Sequence, residues 1–155
     1  MKKLISVILA GFLVLSVTVT AIAAPTNNAV FYLNLNKYMV NKSQYTMDAA
    51  PFIENNRTYV PIRYLAYACG VTDQDIKWDN ALEIVTLKLG DTILQMQVGI
   101  DQAIKGDLVV DLDVAPIMKN GRTYLPARWI AEAFGYEVKW DEQSKAILIR
   151  TPGTT

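Results

Sequence analysis

Histidine is absent from the 155 residues, and cysteine occurs once. Without imidazole there is no Ser–His or Cys–His nucleophilic pair, and the usual nitrogen ligands of copper and zinc are missing. A single cysteine allows no intramolecular disulfide. Cys69 falls on the apolar face of a predicted helix and reads as a buried small hydrophobe; a bridge between two molecules is the alternative. No glycine-rich phosphate loop occurs, since Gly106, Gly121 and Gly135 are widely spaced and read as turns and caps. Excess charge is missing as well. Fifteen basic side chains balance fifteen acidic ones, which gives no electrostatic case for nucleic acid or an anionic membrane.

The long apolar stretch is confined to the start. Met1-Lys2-Lys3 is basic, and Leu4 to Ile22 carries only Ser and Thr as polar side chains. Ala21-Ile22-Ala23 fits the small-x-small pattern of a cleavage site, so residues 1–23 read as a secretory signal peptide. An uncleaved anchor is the alternative, and no cysteine near residue 23 offers a lipid attachment point. Cleavage would leave 132 residues, with 13 basic groups against 15 acidic ones, a net charge of −2. That length suits one compact unit or two small ones. Plentiful Leu, Ile, Val, Tyr and Trp argue against disorder.

Against this background the chain repeats itself. Arg57-Thr58-Tyr59-Val60-Pro61-Ile62-Arg63 leads to Gly70, and Arg122-Thr123-Tyr124-Leu125-Pro126-Ala127-Arg128 leads to Gly135, 65 residues later. Each copy reads as a short strand running into a short helix. Pro61 and Pro126 suit a first helical turn. Ile62, Leu65, Ala66 and Cys69 follow i, i+3, i+4, i+7, and Ala127, Ile130, Ala131 and Phe134 repeat that face. Gly70 and Gly135 are predicted helix stops. Helices this short need a surface to pack on. Trp78-Asp79 and Trp140-Asp141 follow at an offset of 62, so the first copy has three more residues in its post-helix loop.

The flanking segments supply that surface. Val30 to Leu35, Tyr38 to Met47, Ile76 to Asp79, Leu82 to Leu89, Thr92 to Val98 and Ala146 to Arg150 all read as strands. Asn55-Asn56 and Asn120-Gly121 are turn signals. The predicted class is α+β: two tandem repeats, about 30–89 and 95–150, each a short helix packed on a mainly antiparallel sheet. Residues 24–150 form the domain, and residues 151–155 a flexible tail.

The segments GRTYLPARWIAEAFGYEVKWDEQSKAILI (121–149) and NRTYVPIRYLAYACG with IKWD (56–70 and 76–79) resemble the copper amine oxidase N-terminal, or stalk, domain of exported Gram-positive proteins. The resemblance covers nearly the whole chain after residue 23. It implies a mainly antiparallel sheet wrapped on a helix, and an accessory module without copper or quinone cofactor.

Residue chemistry leaves three openings. Asp79 and Asp141, with Glu142, could act as the carboxylates of a glycan hydrolase; the simpler reading is that each aspartate caps a turn or pairs with a repeated arginine. Asp107, Asp111 and Asp113, or Asp73 and Asp75, lack the spacing of a calcium loop. Arg57, Arg63, Arg122 and Arg128 could bind a phosphate or sugar carboxylate, or pair with Asp48, Asp79, Asp113 or Asp141. For Arg63 and Arg128, in their helices' first turns, Asp79 and Asp141 are the expected partners. Tyr59, Trp78, Tyr124 and Trp140 read as core. Tyr64, Tyr67, Trp129 and Tyr136 are the candidate ligand-binding aromatics. The expectation is a secreted, non-enzymatic binding or spacer module at the cell envelope or in the extracellular matrix. Its partner would be wall polysaccharide or another envelope protein, with no cofactor. A wall-glycan hydrolase and a self-assembling interaction protein are the rivals.

Overall fold

A computed structural model describes residues 26–153. The expected signal peptide and its cleavage site lie outside the described residues. The first half of the chain forms β1 (Ala29–Tyr32), β2 (Lys37–Val40), β3 (Ser43–Thr46), β4 (Phe52–Glu54), β5 (Arg57–Pro61), α1 (Ile62–Ala68), β6 (Ile76–Asp79) and β7 (Ile84–Leu89). The second half forms β8 (Thr92–Gln97), β9 (Gln102–Lys105), β10 (Leu108–Asp111), β11 (Ile117–Lys119), β12 (Arg122–Pro126), α2 (Ala127–Ala133), β13 (Glu137–Asp141) and β14 (Ala146–Arg150). Most of the regular structure is strand, so the α+β class holds with sheet dominant.

The strands make three antiparallel sheets, ordered β13-β14-β1-β2-β3, β10-β9-β8-β7-β6 and β11-β12-β5-β4. Local turn chemistry explains the hairpins. Asn55 and Asn56 join β4 to β5 with φ of 49° and 59°, and Asn120 and Gly121 join β11 to β12 with φ of 50° and 69°. Two consecutive positive φ values match the twist of the strands they connect. The predicted single strand from Tyr38 to Met47 is instead the β2–β3 hairpin. Asn41 and Lys42 turn it, both at positive φ.

Pairing between chain ends closes the first sheet: β1 lies against β14, with Ala29 opposite Ile149. In the central sheet β5 lies against β12, Val60 opposite Leu125. Pro61 and Pro126 end these two strands rather than opening the helices, which begin one residue later. A strand end tolerates the missing N–H.

Both helices bury one face and touch each other. Leu65, Ala66 and Ala68 of α1 and Ile130 and Ala131 of α2 are inaccessible to solvent. The small alanines let the helices approach closely, and Phe31, Leu87, Leu94 and Ile149 close the core from the sheets. Gly70 stops α1 at φ 93° and Gly135 stops α2 at φ 88°. Behind each stop the chain folds back alike: Val71 N–H donates to Ala66 O at 3.0 Å, and Tyr136 N–H to Ala131 O at 2.9 Å. These bonds satisfy carbonyls left over at the helix ends.

The two repeated tryptophans depart from the expected core. Trp78 is 40% exposed and Trp140 37%. They lie on β6 and β13, each the edge strand of its sheet, so one flank of each ring has no neighbouring strand to cover it. Thr151 is also less free than expected of a tail residue, since its N–H donates to Asn28 Oδ1 at 3.1 Å.

Candidate functional site

Tyr64 and Tyr67 stand three residues apart on α1 and so share a face. Their rings meet edge to face, with centroids 6.1 Å apart. That face looks onto the β2–β3 hairpin, where the register sets Tyr38 directly opposite Tyr45. The Tyr38 ring lies 5.4 Å from Tyr45 and 5.8 Å from Tyr64. Phe31 stacks on Tyr38 at 5.0 Å from the core side and fixes its plane. The four tyrosines line a groove of about 630 Å³ between α1 and the hairpin.

Val40 and four polar but uncharged side chains, Asn27, Asn41, Ser43 and Thr46, complete this groove. Among the described residues that line it there is no Asp, Glu, Lys or Arg. The amides are held in place. Asn27 donates to Ala68 O at 3.1 Å, and Asn41 donates to Asn27 Oδ1 at 2.9 Å. Tyr67 donates to Asp73 Oδ1 at 2.6 Å, while Tyr64 Oη accepts from Asp48 N–H at 3.2 Å. Burial, helped by the neighbouring phenols, pushes the Tyr38 hydroxyl up to about 12, so it remains a protonated donor over the physiological range. Tyr45, 47% exposed, is the open face.

Trp129, another candidate aromatic, lies in a second and larger groove of about 900 Å³ beside α2, together with Trp140. Tyr136 belongs to neither. It is buried, and its hydroxyl donates to Cys69 O at 2.9 Å. The ring therefore joins the two helix ends in the core rather than facing a ligand. Cys69 is buried beside it, and burial pushes its thiol up to about 12, which keeps it unreactive. Tyr38 and Tyr45 were not singled out from the sequence. The signal was there in Asn41-Lys42: once these residues are a turn, Tyr38 and Tyr45 must face each other.

The arginines divide into two kinds. Arg57 pairs with Asp113 at 2.6 Å, and Arg122 donates to Asp48 at 2.8 Å. Each pair crosses from one sequence copy to the other. Asp79 and Asp141 are not partners of helix arginines, contrary to expectation. Asp79 accepts from the N–H groups of Ala81 and Leu82, and Asp141 from Gln143 N–H and Ser144 Oγ. The turn after each aspartate takes up its oxygens before any helix can. Arg128 meets Glu132 one turn along α2, at 3.4 Å.

Two of the candidate calcium carboxylates are engaged by neighbouring side chains. Asp75 accepts from Thr72 and Asp111 from Gln102. Among the described residues no group of three or more His, Cys, Asp or Glu could hold a metal ion. Glu142 lines the larger groove, but Asp79 and Asp141 do not. No helix among the described residues is long and apolar enough to cross a membrane.

No curated protein matches the chain. A family profile does, over residues 39–149, and it takes in both helices, the central sheet and the strands around them except β1, the first half of β2 and the last residue of β14. The chain therefore belongs to the copper amine oxidase N-terminal domain family.

Proposed function

We propose that this protein is a secreted, non-catalytic binding module that works at the cell envelope or in the extracellular matrix, and that its tyrosine groove takes a neutral stretch of wall polysaccharide. Membership of an accessory-domain family supports the non-catalytic reading. The basic start and apolar run of residues 1–23 support export. The observation that carries the ligand class is the groove itself. Tyrosine faces suit the apolar faces of sugar rings, and fixed amides and hydroxyls suit sugar hydroxyls. The lining carries no charge that a neutral glycan would leave unpaired.

We read the module further as two interlocked tandem repeats within residues 24–150. Support comes from the sheet orders. The outer sheets run β13-β14-β1-β2-β3 and β6-β7-β8-β9-β10, each joining the last two strands of one copy to the first three of the other.

Retention of the exported chain on purified peptidoglycan and on neutral polysaccharides, followed by titration with a neutral oligosaccharide, tests the reading. Tyr45→Ala should weaken binding about tenfold while the fold persists, a loss equal to about 1.4 kcal/mol. Failure of the unaltered protein to bind any polysaccharide would sink the proposal.

Self-assembly has its own observation. Leu108 and Val109 are each 68% exposed on β10, an edge strand with unpaired backbone groups. A mass that rises with concentration in sedimentation, and falls with Val109→Lys, would favour this second reading.

A further inference from the structure

We infer that the larger groove, beside α2, is a second binding site, and that it takes a short peptide carrying both a free amine and a free carboxylate. The groove is lined from three sides, each with a pair of one cation and one carboxylate; a fourth carboxylate, Asp111, accepts from Gln102 Nε2 at 3.0 Å. Arg57 at the start of β5 is paired with Asp113. Arg128 is paired with Glu132 on α2. Lys145 is paired with Glu142 in the turn between β13 and β14. Trp129 and Trp140 supply aromatic surface between these pairs. The Trp140 indole is held by its N–H, which donates to Glu142 Oε2 at 2.6 Å.

Alternation of sign decides the ligand class. A polyanion would meet the carboxylates, a polycation would meet the cations, and a neutral glycan would bury both without matching either. A ligand with both signs can exchange partners with a pair. The pairs are open to such exchange because their side chains are 42–75% exposed, and exposed ion pairs hold weakly. Arg128 is the most available, since its bond to Glu132 is long at 3.4 Å and its planar fork suits a carboxylate. The ligand's amine then has Glu132 to accept it and an indole face to lie on.

Sequence position sharpens the contrast with the tyrosine groove. At the offset of 65, Trp129 stands where the first copy has Tyr64, and Glu132 where it has Tyr67. The first position is aromatic in both copies, and the second changes from a neutral phenol to a carboxylate.

Calorimetric titration of the exported chain with the tripeptide Lys-Gly-Glu, its ends free, tests the inference. Binding is expected, weakened by added salt and reduced about fivefold by Arg128→Gln. Lys88→Gln, on the outer face of β7, should leave it unchanged. Arg128 is exposed, so the thermal melt of Arg128→Gln should match that of the unaltered protein and separate a binding loss from a folding loss. Absence of heat with Lys-Gly-Glu would overturn the inference. So would equal binding of acetylated, amidated triglycine, tighter binding of oligolysine or oligoglutamate, or indifference to Arg128→Gln. None of these results depends on how the tyrosine groove treats a neutral oligosaccharide.

Discussion

Arg122 and Asp48 are far apart in sequence, yet their side chains meet in a charge-assisted bond. That bond, with burial opposing it, holds the Asp48 carboxyl below its ordinary value of 3.8. The sign of the pH effect follows. A carboxyl with a lowered folded pKa adds stability above its unfolded value, and the gain is lost as pH falls through the folded value. Arg122→Gln should return Asp48 towards 3.8 in a carboxyl NMR titration, and should remove this acid-side contribution. Arg122→Gln and Asp48→Asn should also be non-additive in denaturant melts, whereas Arg128→Gln and Asp141→Asn should simply add. An Asp48 titration unmoved by Arg122→Gln would refute the pairing. That arginines would meet aspartates was legible from the sequence. Which aspartates was not, because the partners are set by how the two sequence copies face each other. Asp79 and Asp141 lie close in sequence to turn N–H groups, which have first claim on their oxygens.

Elements made by neighbouring residues were the legible ones. The β4–β5 and β11–β12 turns, both helices and both helix stops follow from asparagine, apolar spacing and glycine. Gly70 allows a check. At φ 93° a side chain is strained, although a Cβ there would meet only Asn27 Nδ2 at 3.6 Å and Leu89 Cδ1 at 3.8 Å, ordinary contacts. Gly70→Ala should therefore cost about 1 kcal/mol from backbone strain alone, read from a urea midpoint shift with unchanged slope. A loss several times larger would mean that crowding dominates. The tryptophans mark the limit of such local reading. Alternation predicts which face of a strand a ring occupies, but not whether the strand lies at a sheet edge. Trp78 and Trp140 do, and so stay partly in water. The tyrosine groove was half legible for the same reason: α1 presented Tyr64 and Tyr67, while Tyr38 and Tyr45 awaited a turn and a register.

At the scale of the molecule, long-range pairing decides what is stable. The first sheet needs β14 beside β1, and the central sheet needs β12 beside β5. Neither half of the chain can finish its sheets alone, so unfolding should be a single transition for probes in either half. A chain ending at Lys145 lacks β14, and it should lose the near-ultraviolet signal of the whole protein, not of one half. Retention of a folded first half would show that the halves are independent. The β1–β14 ladder also has a mechanical meaning. Ala29 faces Ile149, so a pull applied to the two ends of the domain falls on one end of one ladder. Its bonds would then part in succession, as in a zipper, rather than resist together in shear. Under tension the domain should open at low force, and a stalk built of such units would yield by paying out chain.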